Sequence, residues 1–184
     1  MKSDRGDVAE LLSRAQTGDE QAMSNLITLH KGLVYTVILR MVNNHDTSLD
    51  LTQETFIKIF LNIRKVKNAK HFRAWVCKIA RNCVYDYFRK MRRKPVVSLE
   101  TVGEPAGRSG LKKTRRKMII QDALARLRDQ DRMLLTLAYY KGLTLAEVAE
   151  VMKISEKNIK VYLHRARIRL RKELKGYENE LLST

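Results

Sequence analysis

The stretch from Thr144 to Lys172 constrains the fold more than any other part of this sequence, because it carries the pattern of two helices joined by a tight turn. Thr144 is followed three residues later by Glu147. This is the spacing of a capping box, in which each side chain satisfies a free backbone amide at the start of a helix. After a turn at 152–154, Ser155 can cap the next helix with its hydroxyl. The pattern predicts a helix-turn-helix unit.

The second helix of this unit combines an apolar stripe with a basic surface. Apolar residues recur along it at helical spacing, namely Ile159, Leu163, Ala166, Leu170 and Leu174. Its other faces carry basic residues, namely Lys157, Lys160, Arg165, Arg167, Arg169, Arg171 and Lys172. A basic helix is often only a solvated surface. The capped helix before it and the short turn favour instead a unit that inserts the tip of its second helix into the major groove of DNA.

The charge of the chain is large and unevenly distributed. The 184 residues carry a formal net charge of +17, which favours a polyanionic partner over an acidic small substrate. Residues 1–63 hold six basic and eight acidic residues, a net charge of −2. Residues 64–94 hold twelve basic residues and one acidic residue, a net charge of +11. The sequence therefore predicts two surfaces of different character in its first half, of which the second suits nucleic acid.

Several classes of protein are disfavoured by what the sequence lacks. No apolar run approaches the roughly 20 residues that span a bilayer, and the first ten residues lack the apolar segment of a signal peptide. We expect a cytoplasmic protein without membrane insertion. Cys77 and Cys83 project about 120° apart on one predicted helix, so we expect packing residues rather than a disulfide. The four histidines form no metal-ligand spacing with them. We expect no metal, no cofactor and no small-molecule substrate.

Four helices are predicted in the first half of the chain. They cover residues 7–15, 20–42, 47–63 and 71–93, and Asp19 is placed to cap the second. In the third, the residues expected to face the core are Leu49, Phe56, Phe60 and Ile63. In the fourth, they are Phe72, Trp75, Ile79, Cys83, Tyr87 and Met91.

The other side of the fourth helix mixes cations with aromatic rings. It carries Arg73, Arg81, Tyr85, Phe88, Arg89 and Arg92. Aromatic rings stack on unpaired bases while arginines hold phosphates, so this side suits single-stranded nucleic acid. Tyr85 and Phe88 are equally compatible with packing against a neighbouring helix.

The second half of the chain begins with a break in periodicity. Both prolines of the sequence fall between residues 95 and 110, which predicts a flexible linker over 95–114. Two further helices are predicted, one over 117–128 and one that starts at Asp129 or Asp131 and stops at Gly142. The predicted fold is all-α: a helical domain at 1–94, the linker, and a second helical domain at 115–184 that contains the helix-turn-helix.

Five segments together carry a family resemblance. They are DLTQETF at 50–56, FRAW at 72–75, IARN at 79–82, EVAE at 147–150 and KVYLHRAR at 160–167. In this order and spacing they resemble a bacterial sigma factor of the extracytoplasmic-function branch, and the match extends from about Gly18 to Leu174. The resemblance implies a protein that is not an enzyme, binds core RNA polymerase, directs it to promoters and assists opening of the duplex.

The resemblance also implies roles for individual residues. Contacts with the clamp of the polymerase fall to Asp50, Gln53 and Glu54, with Phe56 either in the interface or in the core. Capture of the −10 promoter element falls to Asn62, Lys65, Asn68, Arg73, Arg81 and Tyr85. Recognition of the −35 element falls to Glu156, Lys157, Asn158 and Lys160, and phosphate contacts to Arg165 and Arg167. An anti-sigma protein is a further implied partner.

Two residues depart from the family pattern, and two other functions compete with this one. Lys153 stands where the turn usually has glycine, so it either adopts positive φ at a cost of ~1 kcal/mol or forms a different turn. Asn158 replaces the usual threonine and can pair with adenine. A stand-alone helix-turn-helix regulator that binds duplex DNA is the alternative. A hydrolase or nuclease is disfavoured because no carboxylate, His or Cys cluster accompanies the basic surfaces.

Overall fold

The computed structural model describes residues 3–93, 111–139 and 143–177, and all regular elements in those ranges are helical. The bounds are α1 Ser3–Gln16, α2 Glu20–Val42, α3 His45–Asn62, α4 Phe72–Arg93, α5 Leu111–Ala125, α6 Asp129–Tyr139, α7 Leu145–Met152 and α8 Glu156–Glu173. Two 3₁₀ turns, Ile63–Lys65 and Ala69–His71, join α3 to α4. The predicted all-α fold is confirmed: the described residues contain four α-helices before residue 94 and four after residue 110.

The predicted linker falls mostly outside the described residues, which resume at 111. Helix α5 begins at Leu111, four residues inside the stretch predicted as linker, and it ends at Ala125 rather than at 128. We refer below to α1–α4 as the first domain and to α5–α8 as the second domain.

Helices α1, α2 and α3 follow one another through tight caps. Gly18 adopts a φ of 100° and ends α1, and the Asp19 side chain then accepts a hydrogen bond from Ala22 N at 2.9 Å, as predicted for the cap of α2. Asn43 ends α2 with a φ of 52°, and Asn44 caps α3 by accepting from Thr47 N at 2.9 Å. Asparagine tolerates the left-handed region better than most residues, which explains its use at this corner.

The core-facing side of α3 differs from the prediction. The buried residues of the helix are Ser48, Leu51, Thr55 and Ile59, and Ile63 follows in the next turn. Leu49 and Phe60, predicted to face inward, are 49% and 61% exposed, and Phe56 is half-buried. Burial of Ser48 and Thr55 is possible because each donates its hydroxyl hydrogen bond to a backbone carbonyl one turn earlier. Two small polar residues are therefore satisfied inside the core, and the large apolar side chains lie outside.

The buried face of α4 is also wider than predicted, because neighbours cover the helix on more than one side. Its buried residues are Phe72, Ala74, Val76, Cys77, Ala80, Arg81, Cys83 and Val84. Trp75, Ile79 and Tyr87 are half-buried, and Met91 is 38% exposed. The two cysteines are free and buried, as expected for packing residues.

The two domains pack against each other, which the sequence did not indicate. Helix α4 contacts α7, and α2 contacts both α5 and α6. Buried apolar side chains from both domains form one continuous cluster. The guanidinium of Arg132 in α6 lies over the ring of Phe88 in α4, at 5.4 Å from its centre. Part of the cationic surface of the first domain therefore lies against the second domain in this arrangement.

Helix α2 corrects one expectation of the sequence analysis. Among the described helices it alone has the length and the hydropathy of a membrane span, over 23 residues. Helices α1, α3 and α4 surround it, and residues such as Val34, Val37 and Ile38 are fully buried inside the protein. Its apolar composition is accounted for by this central position in the core.

Candidate polymerase and nucleic-acid interfaces

The outer face of α3 mixes acidic, amide and apolar side chains. Asp50 and Gln53 are exposed and Glu54 is half-buried, with its carboxylate 2.6 Å from Lys58 Nζ. The same face carries four large apolar residues at least 49% exposed, namely Leu49, Ile57, Phe60 and Leu61. We call these seven residues (Leu49, Asp50, Gln53, Glu54, Ile57, Phe60 and Leu61) the α3 face. Apolar side chains exposed side by side on one helix are typical of a surface that binds another protein.

The sequence analysis missed the apolar part of this face. It assigned Leu49 and Phe60 to the core and gave no role to Ile57 and Leu61. The available signal was Thr55: a hydroxyl residue can be buried in a helix when it bonds to the carbonyl four residues earlier, so the core-facing side of α3 need not be its most apolar side.

The loop between α3 and α4 holds three of the residues predicted to capture the −10 element. Asn62 is fixed by two hydrogen bonds: its Nδ2 donates to Lys58 O at 2.8 Å, and its Oδ1 accepts from Lys65 Nζ at 2.8 Å. Asn68 caps the second 3₁₀ turn by accepting from Lys70 N at 2.9 Å. Lys65 and Asn68 are exposed, whereas Asn62 is half-buried and holds the loop in place.

The other three residues of that set lie on α4 and differ in their surroundings. Arg73 is half-buried near the start of the helix. Arg81 is only 7% exposed, and its Nη1 donates to the backbone carbonyl of Val151 in the second domain. Tyr85 is half-buried, with the Arg81 guanidinium 5.9 Å from its ring centre. Burial lowers the pKa of Arg81 and raises that of Tyr85, since it disfavours the charged form of each. The six residues thus fall into two groups. Asn62, Lys65, Asn68 and Arg73 lie in or near the loop and form the open loop group, whereas Arg81 and Tyr85 lie against the second domain and form the interdomain group.

The predicted helix-turn-helix is present as α7, a short turn and α8. The capping box is complete, with Thr144 N donating to Glu147 Oε2 at 2.7 Å and Glu147 N donating to Thr144 Oγ1 at 3.2 Å. Lys153 occupies the turn with a φ of 56°, so the expected strained position is observed. Ser155 is the residue before α8 but makes no side-chain capping bond, contrary to the prediction.

The tip and outer side of α8 are open to solvent, because Ile159, Leu163 and Ala166 face the core on the opposite side. All six residues predicted for the −35 element are exposed: Glu156, Lys157, Asn158, Lys160, Arg165 and Arg167. Arg167 is held by the second domain itself, since its Nε donates to Tyr139 Oη at 2.7 Å. The others remain available to a DNA groove.

A partly buried ion pair fixes α8 to α6. Arg169 Nη1 donates to both carboxylate oxygens of Asp131, at 2.9 and 2.8 Å. The Asp131 side chain is 12% exposed and that of Arg169 is 40% exposed. The sequence analysis counted Arg169 as part of the basic face, but the structure places it in the packing between two helices.

The described residues contain no group of three or more His, Cys, Asp or Glu side chains that could hold a metal ion. Burial raises the pKa of Cys77 to about 12, so this thiol is neutral at physiological pH and unsuited to metal binding or nucleophilic attack. The chemistry of the described surfaces is that of charge, hydrogen bonding and apolar contact.

Two family models match the two domains. Sigma-70 region 2 matches residues 26–94 and Sigma-70 region 4 matches residues 117–170. Together with the helix-turn-helix, they define a DNA-binding protein of transcription initiation. SigM of Bacillus subtilis, an ECF RNA polymerase sigma factor, is 33% identical over 141 residues, which cover 75% of this chain and 86% of SigM. The chain belongs to the ECF sigma factors, and the stand-alone regulator is disfavoured.

Other relatives agree with this assignment. SigW of Bacillus subtilis is 28% identical over 187 residues, covering 91% of this chain and 97% of SigW. Two solved structures share the fold. One is CnrH in complex with the cytosolic domain of CnrY, with a TM-score of 0.71, 20% identity and coverage of 91% and 97% of the two chains. The other is RpoE with the anti-sigma factor NepR from Bartonella quintana, with a TM-score of 0.69, 23% identity and coverage of 83% and 96%.

Proposed function

We propose that this chain binds core RNA polymerase, carries it to promoters with specific −10 and −35 elements, and assists opening of the duplex without catalysing a reaction itself. The observation that supports this most directly is the division between the α3 face, which suits a protein partner, and the cationic α4 and α8, which suit DNA. It acts in the cytoplasm, where the chromosome is transcribed.

The α3 face is the proposed docking surface for the polymerase. Asp50, Gln53 and Glu54 provide the polar contacts, and Phe56 supports the helix from its half-buried position. The exposed rings and branched chains of Leu49, Ile57, Phe60 and Leu61 add apolar area that the sequence analysis had not assigned. A patch of this kind binds through a few large apolar anchors, while the polar residues around them set the register.

The tip of α8 is the proposed reader of the −35 element. Glu156, Lys157, Asn158 and Lys160 lie at its N-terminal end, from which a recognition helix contacts base edges. Arg165 and Arg167, farther along the helix, hold the phosphate backbone. The exposure of all six residues supports this proposal, since none has to be freed from the core.

Capture of the −10 element is proposed to use both the open loop group and the interdomain group. Lys65 and Asn68 reach solvent directly, and Asn62 and Arg73 stand behind them. Arg81 and Tyr85 are covered by the second domain, so strand capture by these two side chains requires the domains to move apart. Arginine and tyrosine on one helix face then provide phosphate contacts and base stacking.

We also propose an anti-sigma protein as a partner. The related fold of RpoE was solved in complex with the anti-sigma factor NepR, and the surfaces of the present chain include an apolar α3 face that such a partner could cover.

The function is tested with purified core RNA polymerase and the full chain. We expect co-purification and initiation from a promoter selected from transcripts that appear when the chain is overproduced. Leu49→Ser on the α3 face should weaken polymerase binding at least tenfold. The matched control is Leu29→Ser on α2, since Leu29 and Leu49 are both 49% exposed. Failure to bind polymerase, combined with tight binding to duplex DNA alone, would establish the stand-alone regulator instead.

A further inference from the structure

A cavity of about 340 Å³ lies where α4 of the first domain meets the helix-turn-helix of the second. Its walls come from α4, α6, the turn between α7 and α8, and α8 itself. Five cationic side chains line it: Arg81, Arg128, Lys153, Arg165 and Arg169. The volume is that of a site for a small molecule, too small for a DNA duplex.

The positive charge of this cavity is not neutralised by the described residues around it. Asp131 is the one acidic residue in the lining, and both of its oxygens are already bonded to Arg169. Arg81 donates to a backbone carbonyl and to Asn82 Oδ1, neither of which carries a negative charge. Keeping a guanidinium away from water without a counter-anion is costly, so the cavity favours an anion.

Two buried hydrogen-bond donors in the lining also lack an acceptor. Arg81 Nε and the Tyr85 hydroxyl are shielded from solvent and have no partner among the described atoms. Arg81 is 93% buried, at 7% exposure, and both side chains belong to the cavity wall. Arg81 Nε and the Tyr85 hydroxyl have no surface that a ligand in the cavity could reach, but each Nη of Arg81 carries a second N–H besides the one bonded to Val151 O or Asn82 Oδ1, so its guanidinium keeps donors for an anion.

We propose that this cavity binds a small phosphorylated anion, whose di- or triphosphate group bridges Arg81 of the first domain to Lys153 and Arg165 of the second. Phosphate oxygens match the donor-rich lining, because each accepts several hydrogen bonds and a guanidinium binds two of them at once. Tyr85 and Tyr162, also in the lining, offer rings to a nucleoside attached to the phosphates.

A regulatory consequence rests on the proposed function. Arg81, Tyr85 and Arg165 belong both to the cavity and to the proposed promoter-binding sets. An anion bound between the domains stabilises their closed arrangement and occupies side chains that DNA needs. Such a ligand therefore acts as an inhibitor of promoter capture.

Binding is tested by isothermal titration calorimetry on the full chain with sodium triphosphate, with ATP in the absence of magnesium, and with adenosine. We expect one site per chain for triphosphate and ATP, and no binding of adenosine. Arg165→Gln and Lys153→Asn should each weaken binding about tenfold, the effect of losing one charged contact. Arg171→Gln removes the same charge from an exposed position on α8 outside the cavity and should change the affinity less than twofold.

The outcomes separate the sources of the ligand and the rival explanations. Equal affinities for triphosphate and ATP assign the site to inorganic phosphates, and at least tenfold tighter binding of ATP assigns it to a nucleotide. If Arg171→Gln and Arg165→Gln lose the same affinity for triphosphate, the proposal is overturned. The anion is then attracted only by the overall positive charge of the chain, which is +17. Displacement of triphosphate by a more tightly bound hexaglutamate peptide overturns it in favour of an acidic protein segment.

The result does not depend on the polymerase. A chain that binds triphosphate at this site but fails to support initiation retains the site and refutes the proposed function. A chain that initiates transcription but binds triphosphate no differently when Arg165 or Lys153 is replaced supports the proposed function and refutes the anion site.

Discussion

The Arg81 guanidinium in α4 donates a hydrogen bond to the backbone carbonyl of Val151 at the end of α7, seventy residues along the chain. Two polar contacts border the same interface at the surface: a hydrogen bond between His71 Nδ1 and Glu150 Oε2, and an ion pair between Arg92 and Asp129. This packing covers Arg81 while the tip of α8 stays exposed. In the closed arrangement the residues proposed to read the −35 element are therefore exposed, whereas Arg81, which is proposed to take part in capture of the −10 strand, is covered.

Locking the domains together is expected to block promoter opening. Cysteines introduced at His71 and Glu150, whose side chains lie 3.0 Å apart, can be joined by a short bis-maleimide. The two native cysteines are buried and need not be replaced, and burial raises the pKa of Cys77 to about 12. Permanganate reactivity of unpaired thymines should fall at least tenfold after cross-linking. The single-cysteine variants, treated alike, are the controls, and full opening by the cross-linked protein would contradict the model.

Asn158 and Arg165 are expected to differ in what they contribute to DNA binding. Asn158→Ala should cost about 1 to 3 kcal/mol at the preferred −35 sequence and reduce the discrimination against single-base variants, because it removes a base contact. Arg165→Ala should weaken binding to all DNA sequences alike and make the affinity less dependent on salt concentration, because it removes a phosphate contact. Electrophoretic mobility shifts on a panel of −35 duplexes measure both. A uniform loss in Asn158→Ala would exclude base reading by that residue.

Removal of Arg169 is expected to destabilise the second domain. Arg169→Met leaves Asp131 buried without its partner, which should cost about 2 kcal/mol in the free energy of unfolding. The figure lies below that of a fully buried pair because Arg169 is 40% exposed and solvent screens it. Urea denaturation measures the change. The double variant Asp131→Asn, Arg169→Met should recover part of the loss, and stability equal to wild type in Arg169→Met alone would show that the pair is not stabilising.

Glycine at position 153 is expected to stabilise the chain. Lys153 has a φ of 56°, a left-handed conformation that costs a lysine about 1 kcal/mol and a glycine little. Lys153→Gly should therefore raise the free energy of unfolding by up to about 1 kcal/mol. Lys160→Gly, the same substitution inside α8, should lower it by about 1 kcal/mol. A loss of stability in both variants would mean that Lys153 makes contacts worth more than its backbone strain.

The cap of α2 predicts a dependence of stability on pH. A hydrogen bond from Ala22 N and the neighbouring Arg14 hold the pKa of Asp19 below its ordinary value of 3.8. A carboxyl whose pKa is lowered by folding stabilises the protein above its unfolded pKa, and this contribution is lost as the pH falls through the folded value. The difference in Tm between wild type and Asp19→Ala should be full at pH 6 and shrink below pH 4. Asp19→Asn, an uncharged cap, should show no such titration of the cap.

Local patterns in the sequence predicted local structure well. The bounds of α2, the Asp19 cap and the capping box at Thr144 follow from side chains within four residues of each other, and all are observed. These features depend on the chain within one helical turn, which a sequence displays directly. The positive φ of Lys153 has a different basis: it is one of the two alternatives left open by the family resemblance, which places glycine at this turn.

The buried side of each helix and the contacts between the domains were harder to predict, because they depend on neighbours that are distant in sequence. The exposure of Phe60 depends on which side of α3 packs against α2 and α4, and the wide buried face of α4 depends on α7. The bond from Arg81 ends on a backbone carbonyl, and every residue has such a group, so no residue type announces it. The cationic character of α4 and α8 was predicted from their charge patterns, but the covering of part of α4 by the second domain was not.

Helix α2 is shared by both domains, since it contacts α5 and α6 as well as α1, α3 and α4. Separating the domains transfers the side of α2 that faces α5 and α6, together with part of the common apolar cluster, into water. Hydration of apolar surface raises the heat capacity. Opening of this protein should therefore have a calorimetric signature resembling partial unfolding, although each helix stays intact, and the population of the open form should depend on temperature.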